Sequence, residues 1–229
     1  MAITATASLG DLVTEDSRRS RVLEKLGLDY CCNGADSLAD ASAAAGLDID
    51  QVIAALDLPD APDSTGTSAG DNASLAHDIV DTHHAYMWEE MPRLAQLVEK
   101  VYRVHGERHP ELEQVRDAFF KAVGALEPHM TAEERSVFPT ITKLEKGQPA
   151  SGAATLNETL DTMVAEHQVV GDLFHEIKRL TNGYTWPADG CNSYRMMLEG
   201  LSEMELDLHE HIHKENNILF PAARALARP

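Results

Sequence analysis

The spacing of apolar residues along this 229-residue chain changes near residue 73. Beyond that point, apolar side chains recur in steps of three and four along four long stretches, a pattern typical of amphipathic helices. Breaks rich in Gly, Pro, Asn and Asp separate the stretches. The pattern predicts four long helices at about 74–105, 111–146, 156–181 and 194–226, packed as an up-down-up-down four-helix bundle.

The region before the bundle has a different pattern. Residues 1–57 carry only short helical repeats of apolar side chains, arranged around a turn-like stretch at 29–34. Residues 58–72 consist mainly of Asp, Pro, Gly, Ser and Thr, which cannot build a core. The sequence therefore predicts an all-α protein in three parts: a small helical domain at 1–57, a flexible linker at 58–72 and the bundle at 73–229. We expect the linker to let the first domain move relative to the bundle.

Composition limits the kinds of partner. The formal net charge of −19 repels phosphate, so nucleic acid is a poor partner. The chain has no apolar run long enough to span a bilayer, and its start lacks the basic region of a signal peptide. Three cysteines are too few for a disulfide framework. These features predict a cytoplasmic protein that binds neither nucleic acid nor a membrane.

An internal repeat occurs in the second and fourth long helices. The spacing His-x3-Glu-x4-Phe-Pro appears twice, once from His129 and once from His211. Each Phe-Pro pair is expected to kink or end its helix, because proline removes a backbone donor. Two copies indicate two helix hairpins related by a pseudo-twofold axis.

Several polar residues fall inside the apolar stripes of the four helices. At about 1.5 Å of rise per residue, they reach the same level of the bundle. Burying them there is costly unless something satisfies them, and a metal cluster does so. The sequence thus predicts metal ligands at six positions: His84, His129, Glu133, His167, His211 and Glu215.

The residue types of this set indicate the metal. Imidazole and carboxylate ligands suit Fe, Mn, Zn or Ni, and no cysteine lies in the stripes. Two carboxylates with four histidines favour two ions, about 3.5–4 Å apart. Glu133 and Glu215 would bridge them, together with an oxo or hydroxo group. An open position on an ion is where O2 or NO could bind.

The other histidines do not meet this pattern. His105 lies on a stripe but about 30 Å along its helix from the predicted centre. His83, His209 and His213 are rotated off the stripes, and the Glu210-x-x-His213 pair is expected to face outward. We therefore leave them out of the predicted site.

Cys31 and Cys32 have two interpretations. They are either a packing pair in a small helical domain or thiols that take NO, iron or electrons through thiolates exposed in a turn. Adjacent cysteines disfavour a relaxed disulfide. All six predicted ligands lie after residue 80, so the bundle is expected to bind metal without the first domain.

These motifs resemble the hemerythrin-like bundle, and more closely the RIC family of iron–sulfur cluster repair di-iron proteins. The resemblance covers nearly the whole chain and rests on the double-Cys stretch at 29–34, His84, both copies of the repeat, and Glu166 beside His167. It implies a cytoplasmic protein with two non-haem Fe ions and NO-directed chemistry, which repairs clusters damaged by nitric oxide or peroxide. One departure is Pro128, directly before His129, which is expected to kink the helix and displace that histidine.

Two other functions remain open at this stage. One is a hemerythrin-like carrier or sensor that binds O2 or NO reversibly. The other is an NO reductase or a peroxidase, so the sequence leaves the question of enzyme activity open. The partners expected in the leading interpretation are NO or O2 as a small ligand and damaged iron–sulfur proteins that receive repair or iron. A second copy of the chain is a further candidate partner.

Overall fold

The structure, a computed structural model, describes residues 3–59 and 71–227. Regular structure in these residues is helical, apart from one isolated bridge between Ser8 and Ser37. The predicted all-α fold is therefore confirmed. Most of the linker predicted at 58–72 lies outside the described residues. None of the described helices is both long enough and apolar enough to cross a bilayer.

Four short helices form the first part of the chain. They are α1 (Leu9–Glu15), α2 (Arg19–Leu26), α3 (Leu38–Ala44) and α4 (Ile49–Leu56). Ser8, Ser37 and Asp48 cap three of them, since each side chain accepts a backbone N–H of the first turn. Gly27 ends α2 with a φ of 69°, a left-handed conformation that glycine adopts without strain. Local capping thus explains where these helices begin and end.

Four long helices follow, close to the predicted positions. Three of them contain a π-helical turn that divides them into segments. The helices are α5 (Asn72–Ile79, π turn Val80–His84, Ala85–His105), α6 (Glu111–Ala132, π turn Glu133–Val137, Phe138–Glu145), α7 (Leu156–Leu180) and α8 (Asn192–Lys214, π turn Glu215–Leu219, Phe220–Leu226).

Proline does not end these helices, so of the two effects expected at each Phe-Pro pair, a kink or an end, the end does not occur. Pro92 and Pro128 lie inside continuous α-helical segments, so the kink expected at Pro128 does not interrupt α6. The helices also continue through Pro139 and Pro221, and each of these prolines is the second residue after a π turn. Backbone hydrogen bonds in a π turn join residues five apart instead of four. The turn can therefore accommodate a proline, which has no backbone N–H to donate.

The bundle core is divided into two apolar clusters. Successive long helices pack against each other, and α8 closes the ring against α5. On α5, Ile79 belongs to one cluster and Met87 to the other, with His84 between them. The same order holds on α8, where Glu215 lies between Ile212 and Leu219. The buried polar residues therefore form one layer between two apolar layers.

The short helices pack directly on the bundle. Leu12, Leu23 and Leu38 belong to the same apolar cluster as the bundle residues Met204 and Leu208. The two parts therefore share one core, which no local sequence pattern had indicated.

The two parts of the chain approach each other closely at the π turn of α8. A Cβ atom at Gly34 would lie 2.3 Å from Asn217 Oδ1, and one at Gly10 would lie 2.9 Å from the same side chain. A side chain at either position would displace Asn217 and its hydrogen bonds to the Tyr30 and Cys31 carbonyls, so glycine favours this close approach.

Candidate metal centre

The six residues predicted as ligands lie together in the middle of the bundle. All are buried, with exposed fractions between 0 and 5%. Each of the four long helices contributes at least one of them. They form two overlapping groups: His84, Glu133, His211 and Glu215, and His129, Glu133, His167 and Glu215.

Glu133 and Glu215 belong to both groups. Within each group, one ligand atom from every residue lies within 4.8 Å of the others. His84 Nε2 is 3.2 Å from His211 Nε2 in the first group, and His129 Nε2 is 2.9 Å from His167 Nε2 in the second. Two adjacent pockets that share two carboxylates are an arrangement suited to a pair of ions.

The carboxylate oxygens at the centre fit a metal. Both oxygens of Glu133 and Glu215 Oε2 are buried without a hydrogen-bond partner among the described residues. The nearest imidazole nitrogens to Glu133 are His129 Nε2 at 3.3 Å and His84 Nε2 at 3.4 Å. Leaving a buried carboxylate oxygen unpaired is costly, and a cation would remove that cost. The donor set therefore fits a bound metal.

Residues outside the cluster orient three of the four histidines. His84 Nδ1 donates to Glu134 at 3.0 Å, His129 Nδ1 donates to Glu166 at 2.7 Å, and His167 Nδ1 donates to Asn216 at 2.9 Å. These bonds leave Nε2, and not Nδ1, as the nitrogen of each ring that is directed at the cluster centre, as is usual for metal-binding histidines.

Sequence reasoning did not assign roles to these three orienting residues. Each one is the immediate neighbour of a predicted ligand in sequence, yet it contacts a ligand on a different helix. A polar residue beside a stripe ligand was the available signal: Glu134, Glu166 and Asn216 all have that position.

The three π turns lie at the level of the centre. His84 ends the turn in α5, Glu133 begins the turn in α6, and Glu215 begins the turn in α8. A π turn widens the helix locally and is frequent at functional sites. The prediction of simple α-helical stripes missed these turns.

Both shared glutamates stay ionised despite their burial. Burial and the charge of Glu215 raise the pKa of Glu133, but contacts with His129 lower it overall. Burial also raises the pKa of Glu215, while His211 and His167 hold it well below its usual range. Burial opposes the charged form of His129, but Glu133 outweighs this and raises its pKa to about 9. Two buried negative charges make the centre attractive to cations.

Aromatic side chains cover the metal-ligand cluster on the side of the apolar cluster that contains Ile79 and Leu219. The ring of Phe138 stacks on His84 with centroids 5.8 Å apart, and Phe220 stacks on His167 at 6.0 Å. These are the phenylalanines of the repeated Phe-Pro pairs. They restrict water from that side and hold the imidazole rings in place.

The remaining histidines have other contacts. His105 lies at the far end of α5, where Nε2 is 3.2 Å from Cys191 Sγ. His83 stacks on His211 and donates to Asp207. The expectation that His213 faces outward is wrong, because its side chain is buried against Tyr30 of the short-helix region. His209 is buried there too, and its Nδ1 bonds Glu24. The short helices bury His213 through contacts between distant parts of the chain, and the apolar periodicity of one helix does not report such contacts.

The two adjacent cysteines, Cys31 and Cys32, lie where the short helices contact α8. Cys31 is buried, so the expectation of an exposed thiolate is wrong for this residue. The contact with Cys32 and burial raise the pKa of the Cys31 thiol well above its usual range, and the thiol donates to Asp29. Cys32 is partly buried and forms no disulfide, and its sulfur is 3.5 Å from the position of a Cβ on Gly171 of α7. Cys31 is therefore a neutral thiol at neutral pH.

The chain matches two known protein families. Residues 75–223 match the hemerythrin HHE cation binding domain, and residues 5–59 match a domain of unknown function, DUF542. The first match spans more than half of the chain. The chain belongs to the hemerythrin HHE cation-binding family. The hemerythrin-like fold inferred from the motifs is thus confirmed, and the family's cation-binding character agrees with the His and Glu groups described above.

Relatives over nearly the full length share both parts. The iron-sulfur cluster repair protein YtfE of Escherichia coli O81 (strain ED1a) is 34% identical over 218 residues, which are 95% of this chain and 96% of that protein. YtfE of Escherichia fergusonii shows the same identity and coverage. The iron-sulfur cluster repair protein ScdA of Staphylococcus haemolyticus is 29% identical over 220 residues, 95% of this chain and 98% of that protein. The resemblance to the iron–sulfur cluster repair family is confirmed.

Proposed function

We propose that the chain repairs damaged iron–sulfur clusters by means of a di-iron centre in the bundle. The observation that carries this proposal is the pair of four-residue groups that share Glu133 and Glu215. The names of the full-length relatives, iron-sulfur cluster repair proteins, support the biological role. A cytoplasmic location and clusters damaged by nitric oxide belong to the same proposal.

The six buried residues would hold two non-haem Fe ions. His84 and His211 would hold one ion, His129 and His167 would hold the other, and Glu133 and Glu215 would be shared by both. Imidazole and carboxylate ligands suit iron. When bound, such a centre supplies redox change and an open coordination position for a small ligand such as NO or O2.

The surrounding side chains hold the site in place and give access to it. Glu134, Glu166 and Asn216 fix the imidazole orientations through their hydrogen bonds. Glu134 is 33% exposed and Glu166 is 46% exposed, so both connect the buried histidines to solvent. Protons can reach the buried histidines along these two side chains, and Phe138 and Phe220 cover the imidazole rings of His84 and His167.

The test is repair of a purified iron–sulfur enzyme inactivated by NO. The iron-loaded full chain is expected to restore activity, and the Glu215→Ala variant is expected to fail. Recovery that is equal with both proteins would contradict the role of the centre.

Mixing the reduced protein with NO separates the other candidate functions. Release of N2O indicates NO reductase turnover, and a stable nitrosyl without repair indicates a carrier or sensor. Repair of the damaged enzyme, with either product, supports the proposed function.

A further inference from the structure

A second group of metal-binding side chains lies outside the central cluster. Glu205 and His209 are one helical turn apart on α8, and His175 lies on the neighbouring helix α7. One ligand atom from each of the three residues lies within 4.8 Å of the others. None of the three belongs to the six residues of the central site. Two histidines and one carboxylate are a set that binds Fe(II), and Zn(II) accepts the same ligands.

Glu205 has one carboxylate oxygen paired with a lysine and one without a well-formed hydrogen bond among the described residues. Its side chain is 1% exposed, and Lys178 Nζ lies 3.0 Å from Oε2. The other oxygen, Oε1, is buried and makes no hydrogen bond of good geometry among the described residues. The Tyr184 hydroxyl lies nearby: burial, the Glu205 charge and a hydrogen-bonding contact with Glu205 all raise the pKa of this phenol. A buried carboxylate oxygen without a partner is costly, and a cation at Oε1 would satisfy it.

His209 is oriented as a ligand by a residue of the short helices. Its Nδ1 lies 2.5 Å from a carboxylate oxygen of Glu24 on α2. This bond leaves Nε2 as the nitrogen with a free lone pair in the neutral ring. In metal-binding histidines, the ring nitrogen that does not bind the metal usually donates its hydrogen to a carboxylate or another acceptor. Glu24 therefore has the same relation to His209 as Glu166 has to His129 in the central site.

A cavity gives a cation access to this group. It has a volume of about 400 Å³ and lies between the stretch 24–31 and the helices α7 and α8. His175 and His209 line it, and Glu24 and Asp29 contribute carboxylates. His175 is exposed at the surface, and its ring centroid is 6.1 Å from that of His209. An ion can thus reach the two histidines from solvent. Lys178, which pairs with Glu205 Oε2, also lines the cavity.

We propose that His175, Glu205 and His209 form a second, mononuclear site for a divalent transition-metal ion. Glu24 acts as a positioning residue that fixes the tautomer of His209. The site lies where the short helices meet the bundle, and it uses residues from both parts of the chain. It is separate from the central site, so its existence does not depend on the proposed repair function.

The test is equilibrium dialysis of the iron-loaded full chain against Zn²⁺, with iron and zinc counted separately by elemental analysis. We expect the unmodified chain to retain one Zn²⁺ more than the Glu205→Gln and His175→Ala variants, while iron content stays the same in all three. His77→Ala is the matched control, because His77 is an exposed histidine whose one ion pair within residues 3–59 and 71–227 is with Asp81. It is expected to leave the zinc count unchanged.

Two further outcomes make the test decisive. Glu24→Gln is expected to weaken zinc binding roughly 10–100-fold without removing the site, as for other outer carboxylates of metal-bound histidines. His175 is exposed, so its variant removes a ligand with little risk to folding, even if Glu205→Gln fails to fold. A zinc count in His175→Ala equal to that of the unmodified chain would overturn the proposal. Because the comparison is between chain and variant, it does not depend on the number of ions in the central site.

Discussion

His167 Nδ1 donates a hydrogen bond to Asn216 Oδ1 over 2.9 Å. The same Asn216 side chain donates from Nδ2 to the carbonyl oxygen of Cys31, at 3.4 Å. One amide group therefore connects a candidate metal ligand on α7 with the double-cysteine stretch of the short-helix region. The next residue, Asn217, also donates to the Cys31 carbonyl but does not contact a candidate ligand. This difference between two neighbours allows the link to be tested.

Replacement of Asn216 is expected to weaken metal binding. In Asn216→Ala, His167 loses the acceptor that fixes its ring, so metal affinity should fall roughly 10–100-fold. Asn217→Ala is the matched control and should retain the affinity of the unmodified chain. Asn216→Asp should restore binding, since it keeps an acceptor for His167. The rate of metal loss to a chelator measures all three, and equal rates for Asn216→Ala and Asn217→Ala would contradict the link.

Loss of a shared carboxylate should empty at least one metal position. Glu133→Ala removes a residue that belongs to both four-residue groups, so at least one of the two proposed irons should be lost. Its neighbour Glu134 contacts His84 only from outside the cluster. Glu134→Ala should therefore keep both irons, with weaker affinity. Elemental analysis of the purified variants gives the answer, and full iron retention in Glu133→Ala would rule out bridging by this residue.

Replacement of His84 and replacement of His105, two buried histidines of α5, should affect iron content differently. His84→Ala should lose iron, because His84 lies in the central cluster. His105→Ala should retain the iron content of the unmodified chain and instead lower the free energy of unfolding by roughly 1–3 kcal/mol, the usual range for a buried contact. Metal analysis together with thermal unfolding separates the two effects. An empty site in His105→Ala would contradict the placement of His105 at the far end of α5 from the metal centre.

The sequence was sufficient for the bundle and for the position of its polar layer. Apolar spacing reports which face of a helix is buried, and helical rise reports how far along it a residue lies. His84, His129 and His167 could therefore be placed at one level without a structure. The π turns could not be predicted in this way, since they change backbone bonding without changing the apolar pattern around Glu133 or Glu215.

Contacts between distant parts of the chain were also beyond the sequence. His209 and His213 lie off the bundle stripe, and that position alone suggests exposure. They are buried because the short helices cover them, through Glu24 and Tyr30.

The short helices and the bundle share one apolar cluster. A chain that begins near Asn72 would expose apolar residues of α8, so we now expect such a truncated chain to be less stable than the full chain.

The loop between α5 and α6 should make stability depend on pH. Burial lowers the pKa of His109, but the carboxylates of Asp189 and Glu111 outweigh this and raise it above 6.5. The charged imidazole therefore favours the folded state below pH 6.5, and this contribution is lost as the pH rises through the raised pKa. His109→Gln should lower the melting temperature at pH 6 and have little effect at pH 9. Thermal unfolding at both values measures this, and an equal shift at both would contradict the assignment.

Replacement of both adjacent cysteines should separate metal binding from repair. Neither sulfur belongs to the central cluster, so Cys31→Ala/Cys32→Ala should contain as much iron as the unmodified chain. The Cys31 and Cys32 sulfurs are 3.9 Å apart, and the Cys31 carbonyl reaches His167 through Asn216. A thiol pair beside the centre is well placed to exchange NO or iron with it, so we expect the double variant to lose repair of an NO-damaged enzyme. Cys191→Ser, which changes the exposed third thiol, is the control and should repair normally. Repair by the double variant at the rate of the unmodified chain would show that these cysteines serve only in packing.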